Sequence, residues 1–153
     1  IMKRLLILLF IPTLSYSQIT YEDIMSINSE KIFKKVMIEN GCVFDSVGEK
    51  GVIIYSSDDK ISYYSFFPED NTWLFMLSKT DLLGLVLGVD LNDSKSSYDL
   101  IFDSVKDKCV YYDIINVIDV DFVCYNCSGS TDSIKVGFTS MDNYGMIKSF
   151  PKE

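Results

Sequence analysis

Between Cys109 and Cys127 the chain reads CVYYDIINVIDVDFVCYNC, two runs of β-branched and aromatic residues either side of Val117–Asp119. Residues of this kind favour strands, and no crossover helix fits between runs so close together. The stretch is therefore an antiparallel hairpin. It carries three of the four cysteines. A shorter counterpart, CVFDSVGEKGVIIYSS from Cys42 to Ser57, occurs earlier, and a helical pattern directly precedes each. The predicted class is α+β, with helices packed on one face of antiparallel sheet.

The rest of the chain fits that plan. Tyr21, Ile24 and Met25 fall at helical spacing in an arm covering residues 18–28. Asn28 or Ser29 caps the next helix, whose apolar stripe is Ile32, Phe33, Val36 and Met37, and Asn40-Gly41 stops it. Four strands follow: Cys42–Val47, Val52–Ser56, Ile61–Phe67 and Thr72–Ser78, joined by turn-rich segments. Ser96 or Ser97 caps a second helix with Tyr98, Ile101, Phe102 and Val105 on one stripe. After the long hairpin come Ile134–Thr139 and Tyr144–Phe150, with Asp142-Asn143 between them.

The two halves correspond. Ile32-Phe33-x-x-Val36 matches Ile101-Phe102-x-x-Val105, Cys42-Val43-Phe44 matches Cys109-Val110-Tyr111, and Asp70-Asn71 matches Asp142-Asn143. Such spacing is too long for a solenoid repeat and fits a tandem duplication of one α-β4 unit. The predicted divisions are a signal peptide over 1–17, the arm 18–28, a first unit 29–79, a connector 80–97 and a second unit 98–153. Over residues 29–150 this layout resembles that of the β-lactamase inhibitory proteins and the small envelope-assembly lipoproteins. The resemblance is one of layout; no motif is shared residue by residue, and it assigns no functional residue.

Met2-Lys3-Arg4, the apolar run Leu5–Ile11, Pro12 and the small residues Ser15 and Ser17 have the form of a secretory signal cut before Gln18. The run is shorter than the about 20 residues of a membrane span. The expected location is outside a bacterial cytoplasm, periplasmic or secreted. Removing the segment takes Lys3 and Arg4, leaving 12 basic residues against 22 acidic ones, a net charge of −10, with neither arginine nor histidine. Phosphate recognition rests on clustered cations, so nucleic acid is not an expected partner.

The cysteines carry the clearest chemical signal, because an exported chain of this kind forms disulfides. A hairpin centred on residue 118 sets Cys109 opposite Cys127, and a register change would turn Cys109 towards Cys124. Cys124-x-x-Cys127 also has the spacing of a redox dithiol, and a thiolate metal site is a further reading. The dithiol motif ordinarily opens a helix, though, whereas here it lies in a strand. Cys42 is either a free thiol or the partner of Cys124.

Without histidine, Ser-His-Asp and Cys-His catalysis are excluded. Ser57-x-x-Lys60 reads as a turn, and no pair of carboxylates stands apart from the solvated acids. Asp90-x-Asn92-x-Ser94 begins like a calcium loop, but Lys95 occupies the position that needs glycine and Ile101 the position of the bidentate glutamate. No catalytic, cofactor-binding or metal-binding residues are assigned.

The first sheet is unusual in being apolar on both faces. Tyr63 and Phe67 share one face, Tyr64 and Phe66 the other, and Thr72–Leu77 is likewise two-sided, whereas Ile134–Thr139 alternates apolar and polar. One helix layer covers only one face. Either the second face is covered, by the arm or by Leu82–Val89, or it receives a partner. Tyr64, Phe66, Trp73, Leu82, Leu85 and Leu87 are the candidates for such a surface. The expected function is a non-catalytic, inhibitor-like protein-binding module whose partner is another protein or a second copy. The alternatives are a carrier of small apolar ligands and, behind it, a hydrolase using carboxylates alone.

Overall fold

A computed structural model describes residues 18–58, 60–79, 95–128 and 133–151. Eight strands form a single antiparallel sheet: β1 (Val43–Val47), β2 (Ile53–Ser56), β3 (Tyr63–Phe67), β4 (Thr72–Ser78), β5 (Val110–Val117), β6 (Val120–Ser128), β7 (Ser133–Ser140) and β8 (Tyr144–Phe150). Their order across the sheet is β1-β2-β3-β4-β8-β7-β6-β5, so two consecutive meanders meet where β4 pairs with β8. Among the described residues the helices are α1 (Tyr21–Ser26), α2 (Glu30–Glu39) and α3 (Ser97–Lys108), with a short 3-10 turn at Glu49–Gly51. Residues 1–17 and most of the connector, including Leu82, Leu85 and Leu87, lie outside the described residues.

Local chemistry sets the element ends. The Ile32 N–H donates to Ser29 Oγ at the start of α2. Past its end, Gly41 takes φ +70, letting Gly41 N–H donate to Ile38 O and Cys42 N–H to Met37 O at 3.0 and 2.9 Å. These paired bonds satisfy carbonyls that the helix leaves open. At α3 the Asp99 N–H donates to Ser96 Oγ while Ser96 N–H donates to the Asp99 carboxylate, a reciprocal cap also made by Thr20 and Asp23 at α1. Between β5 and β6 a two-residue turn places Ile118 and Asp119 at φ 49 and 62, the backbone a tight hairpin demands.

Core packing follows from these placements. Phe33 of α2 meets Tyr55, Phe66 and Phe75, while Tyr98 and Phe102 of α3 both meet Phe138. Gly145 on β8 leaves room for the Tyr98 ring, since a Cβ there would lie 2.2 Å from it. The arm belongs to this core. Ile24 is fully buried, Gln18 Nε2 donates to Ser97 Oγ, and Lys108 pairs with Glu22 at 2.9 Å.

Tyr64, Phe66 and Trp73, expected as surface candidates, are core residues instead. They are 7, 1 and 1% exposed and line the core beneath α2, because Phe33 lands on their side of the sheet. None of them is available to a partner.

Candidate functional site

Hydrogen-bonded neighbours in a sheet share a face and successive residues alternate, so the register defines what lies opposite the helix contacts. One row of that second face runs through Ile54, Ser65, Leu74, Lys148, Gly137 and Cys124 and ends at Asp113 on the margin. Tyr63, Met76 and Met146 lie beside this row on one flank, and Phe67 and Phe150 on the other. Met76 is 37% exposed, and Ile54, Phe67, Leu74, Met146 and Phe150 are half-buried. This is the remaining face of the two-sided first sheet, continued through β8.

Gly137 shapes the centre of the face. A Cβ built on it would lie 2.7 Å from the Phe150 ring, 2.9 Å from Cys124 Sγ and 2.9 Å from Phe122. The missing side chain lets Phe150 fold across the glycine to meet Phe122 edge-on, with ring centroids 5.9 Å apart. Phe122 and Cys124 are buried as a result.

Lys148 is the cation at this centre. Its ammonium lies 5.3 Å from the Phe67 ring centroid and 5.6 Å from that of Phe150. Burial lowers its pKa below the ordinary lysine value, and the charge of Asp70 opposes the shift. Towards the β5 margin, Lys135 places its ammonium 4.0 Å over the Tyr112 ring. The face is thus aromatic and aliphatic with two cations held against rings.

The cysteines separate into distinct roles. Cys109 and Cys127 form a disulfide with a Cα–Cα distance of 4.5 Å. Cys124 and Cys127 are three residues apart on β6 and so point to opposite faces, which prevents a dithiol pair between them. Cys124 and Cys42 are free thiols, and no bond ties them together. Burial pushes the Cys42 thiol up to about 11, partly offset by a hydrogen bond with Tyr64, and burial also raises that of Cys124. Neither has the depressed pKa of a reactive cysteine.

Several of the described carboxylates have structural partners. Asp23 and Asp99 close helix caps, the Asp70 carboxylate accepts from the Thr72 N–H and hydroxyl, and Asp103 pairs with Lys95 and Lys106. Ser57 and Lys60 lie in a turn closed by a Lys60 N–H to Ser57 O bond. Among the described residues no three His, Cys, Asp or Glu side chains gather as metal ligands, and no helix is long and apolar enough to cross a membrane. Residues 90–94, where the sequence begins like a calcium loop, lie outside the described residues.

A second apolar face is expected from the sequence, but which residues form it is not, because periodicity separates two faces without saying which one the helices take. Ser65 and Lys148, polar residues at its centre, were the available signal. Comparison with protein families, curated proteins and solved structures gives no match, so what this face does is argued from the chain's own residues.

Proposed function

We propose that the chain is an exported, non-catalytic binding module that holds another protein against the sheet face opposite its helices. The observation that carries this reading is the half-buried apolar surface around Leu74, Phe67, Phe150 and the paired methionines Met76 and Met146. Methionines adapt to irregular partner surfaces, and aromatic side chains supply contact area. At its centre Lys148 bears a desolvation cost that a partner carboxylate would offset.

Two features support the wider plan. The mirrored strand order and the two capped helices, each preceding a four-strand meander, fit a duplicated α-β4 unit with both helices on one face. Its disulfide fits an oxidising compartment, in keeping with the signal-like segment at residues 1–17.

The test is affinity capture from the envelope and extracellular fractions of the source cell, with purified protein and two variants. Leu74→Glu combined with Met146→Glu should abolish capture of a specific partner. Leu100→Glu, at an exposed position on α3, should retain it. Equal capture by wild type and the face variant would refute the assignment.

A further inference from the structure

One margin of the sheet concentrates exposed apolar surface. Among the described residues β5 pairs only with β6, and its Val110, Tyr111, Tyr112 and Ile114 are 73, 55, 42 and 55% exposed. The Ile114 N–H donates to the carboxylate of its own neighbour Asp113 at 2.8 Å, a local bond that a carbonyl of an added strand would replace. An apolar edge of this length is a template for another strand. From Asp113 to Val117 the strand is regular, since its one register shift lies between Tyr111 and Asp113. The opposite margin, β1, has five residues and a register shift in its middle.

We propose that β5 pairs antiparallel with β5 of a second copy about a two-fold axis at Ile115, joining two eight-stranded sheets into one. In that register Ile114 lies opposite Asn116 of the second copy, so residues of one face meet residues of the same face. Asp113, the one charged residue on β5, meets Val117 instead of its own counterpart, which removes the like-charge contact that would oppose pairing.

Ile118 supplies an independent reason. It is β-branched, 91% exposed and held at φ 49, a conformation such residues avoid. Within one copy it gains no burial to offset that cost. Continued to the turn, the same register sets it beside Tyr112 of the second copy. A stable interface buries at least about 1,000 Å² in total, and the exposed Tyr111, Tyr112 and Ile118 side chains provide apolar area beyond the paired backbone.

Sedimentation of the purified protein over a wide concentration range tests the pairing. Wild type should form a concentration-dependent dimer, Ile114→Lys should weaken it by at least about tenfold by placing a charged ammonium in the apolar seam, and Val43→Lys on β1 should leave it unchanged. In a Cys42→Ser/Cys124→Ser background, which removes both free thiols, Ile115→Cys should oxidise to a covalent dimer, because residue 115 meets itself on the axis. A protein monomeric at every concentration overturns the proposal. So does a dimer that Ile114→Lys leaves intact or that Val43→Lys breaks equally. Should Ile114→Lys fail to fold, formation or absence of the covalent Ile115→Cys dimer decides the matter.

Discussion

Cys109 lies opposite Cys127 because β5 slips by one residue against β6 between Tyr111 and Asp113. From the turn up to Asp113↔Cys124 the ladder follows the register set by Val117↔Val120, which if continued would oppose Cys109 to Ser128. The extra residue, Tyr112, restores Tyr111↔Tyr125 and brings the sulfurs together. Placing the hairpin centre at residue 118 reaches the same pair from the sequence, although the turn itself is Ile118-Asp119.

Opening this disulfide should cost about 3 kcal/mol, the chain-entropy value for a loop of this size. Urea unfolding of the Cys109→Ser/Cys127→Ser double variant against wild type measures it. Coincident midpoints would mean that the bulged ladder holds the strands without the cross-link.

The two free thiols should be nearly inert in the native protein. With its pKa near 11, Cys42 is only about one part in a thousand thiolate at pH 8. Alkylation at Cys42 should accelerate about tenfold per pH unit up to that value, whereas in denaturant both Cys42 and Cys124 should react at model-thiol rates. The raised native pKa also fixes a sign. The unfolded chain loses the Cys42 proton from about pH 9.0, before the folded chain does, so this thiol's contribution to stability declines between 9.0 and about 11.

Gly145→Ala should destabilise by about 1–3 kcal/mol, because the new methyl falls on the Tyr98 ring and either α3 or β8 must shift. Gly137→Ala should cost a similar amount by displacing Phe150 from Phe122. A Phe150→Leu background should absorb part of the Gly137 cost and none of the Gly145 cost, as separate sites add independently. Thermal unfolding of the single and double variants reads out both.

Replacing Ile118-Asp119 by Asn-Gly should stabilise the isolated chain by about 1 kcal/mol, since both positions need left-handed backbone. Unchanged or lower stability would mean that the strain at Ile118 is relieved by contacts within one copy.

Much of the fold was legible because its signals are local. Ser29, Gly41 and Ser96 mark helix ends, and turn-rich segments divide the strands almost where they occur. The pairing of β4 with β8 was not legible. It joins residues 66 to 74 positions apart, from Ser78↔Tyr144 to Leu74↔Lys148, and no short-range pattern encodes it. That pairing places Lys148 beside Leu74, which identifies the polar-centred face as the open one. Without it Tyr64, Phe66 and Trp73 looked as available as Tyr63, Phe67 and Leu74, and the sequence reading took the buried set. The Gly48–Gly51 turn was expected, but its tightening into a 3-10 turn with Lys50 and Gly51 at positive φ was not.

Oxidative footprinting tests the central assignment most directly, in purified protein and again after mixing with the envelope and extracellular fractions in which the proposed partner is sought. Met76 and Met146 should oxidise well before Met37 and Trp73 in the isolated protein and become protected on mixing. Trp73 reacting as fast as Met76, or methionine oxidation indifferent to the added fractions, would contradict binding through this face.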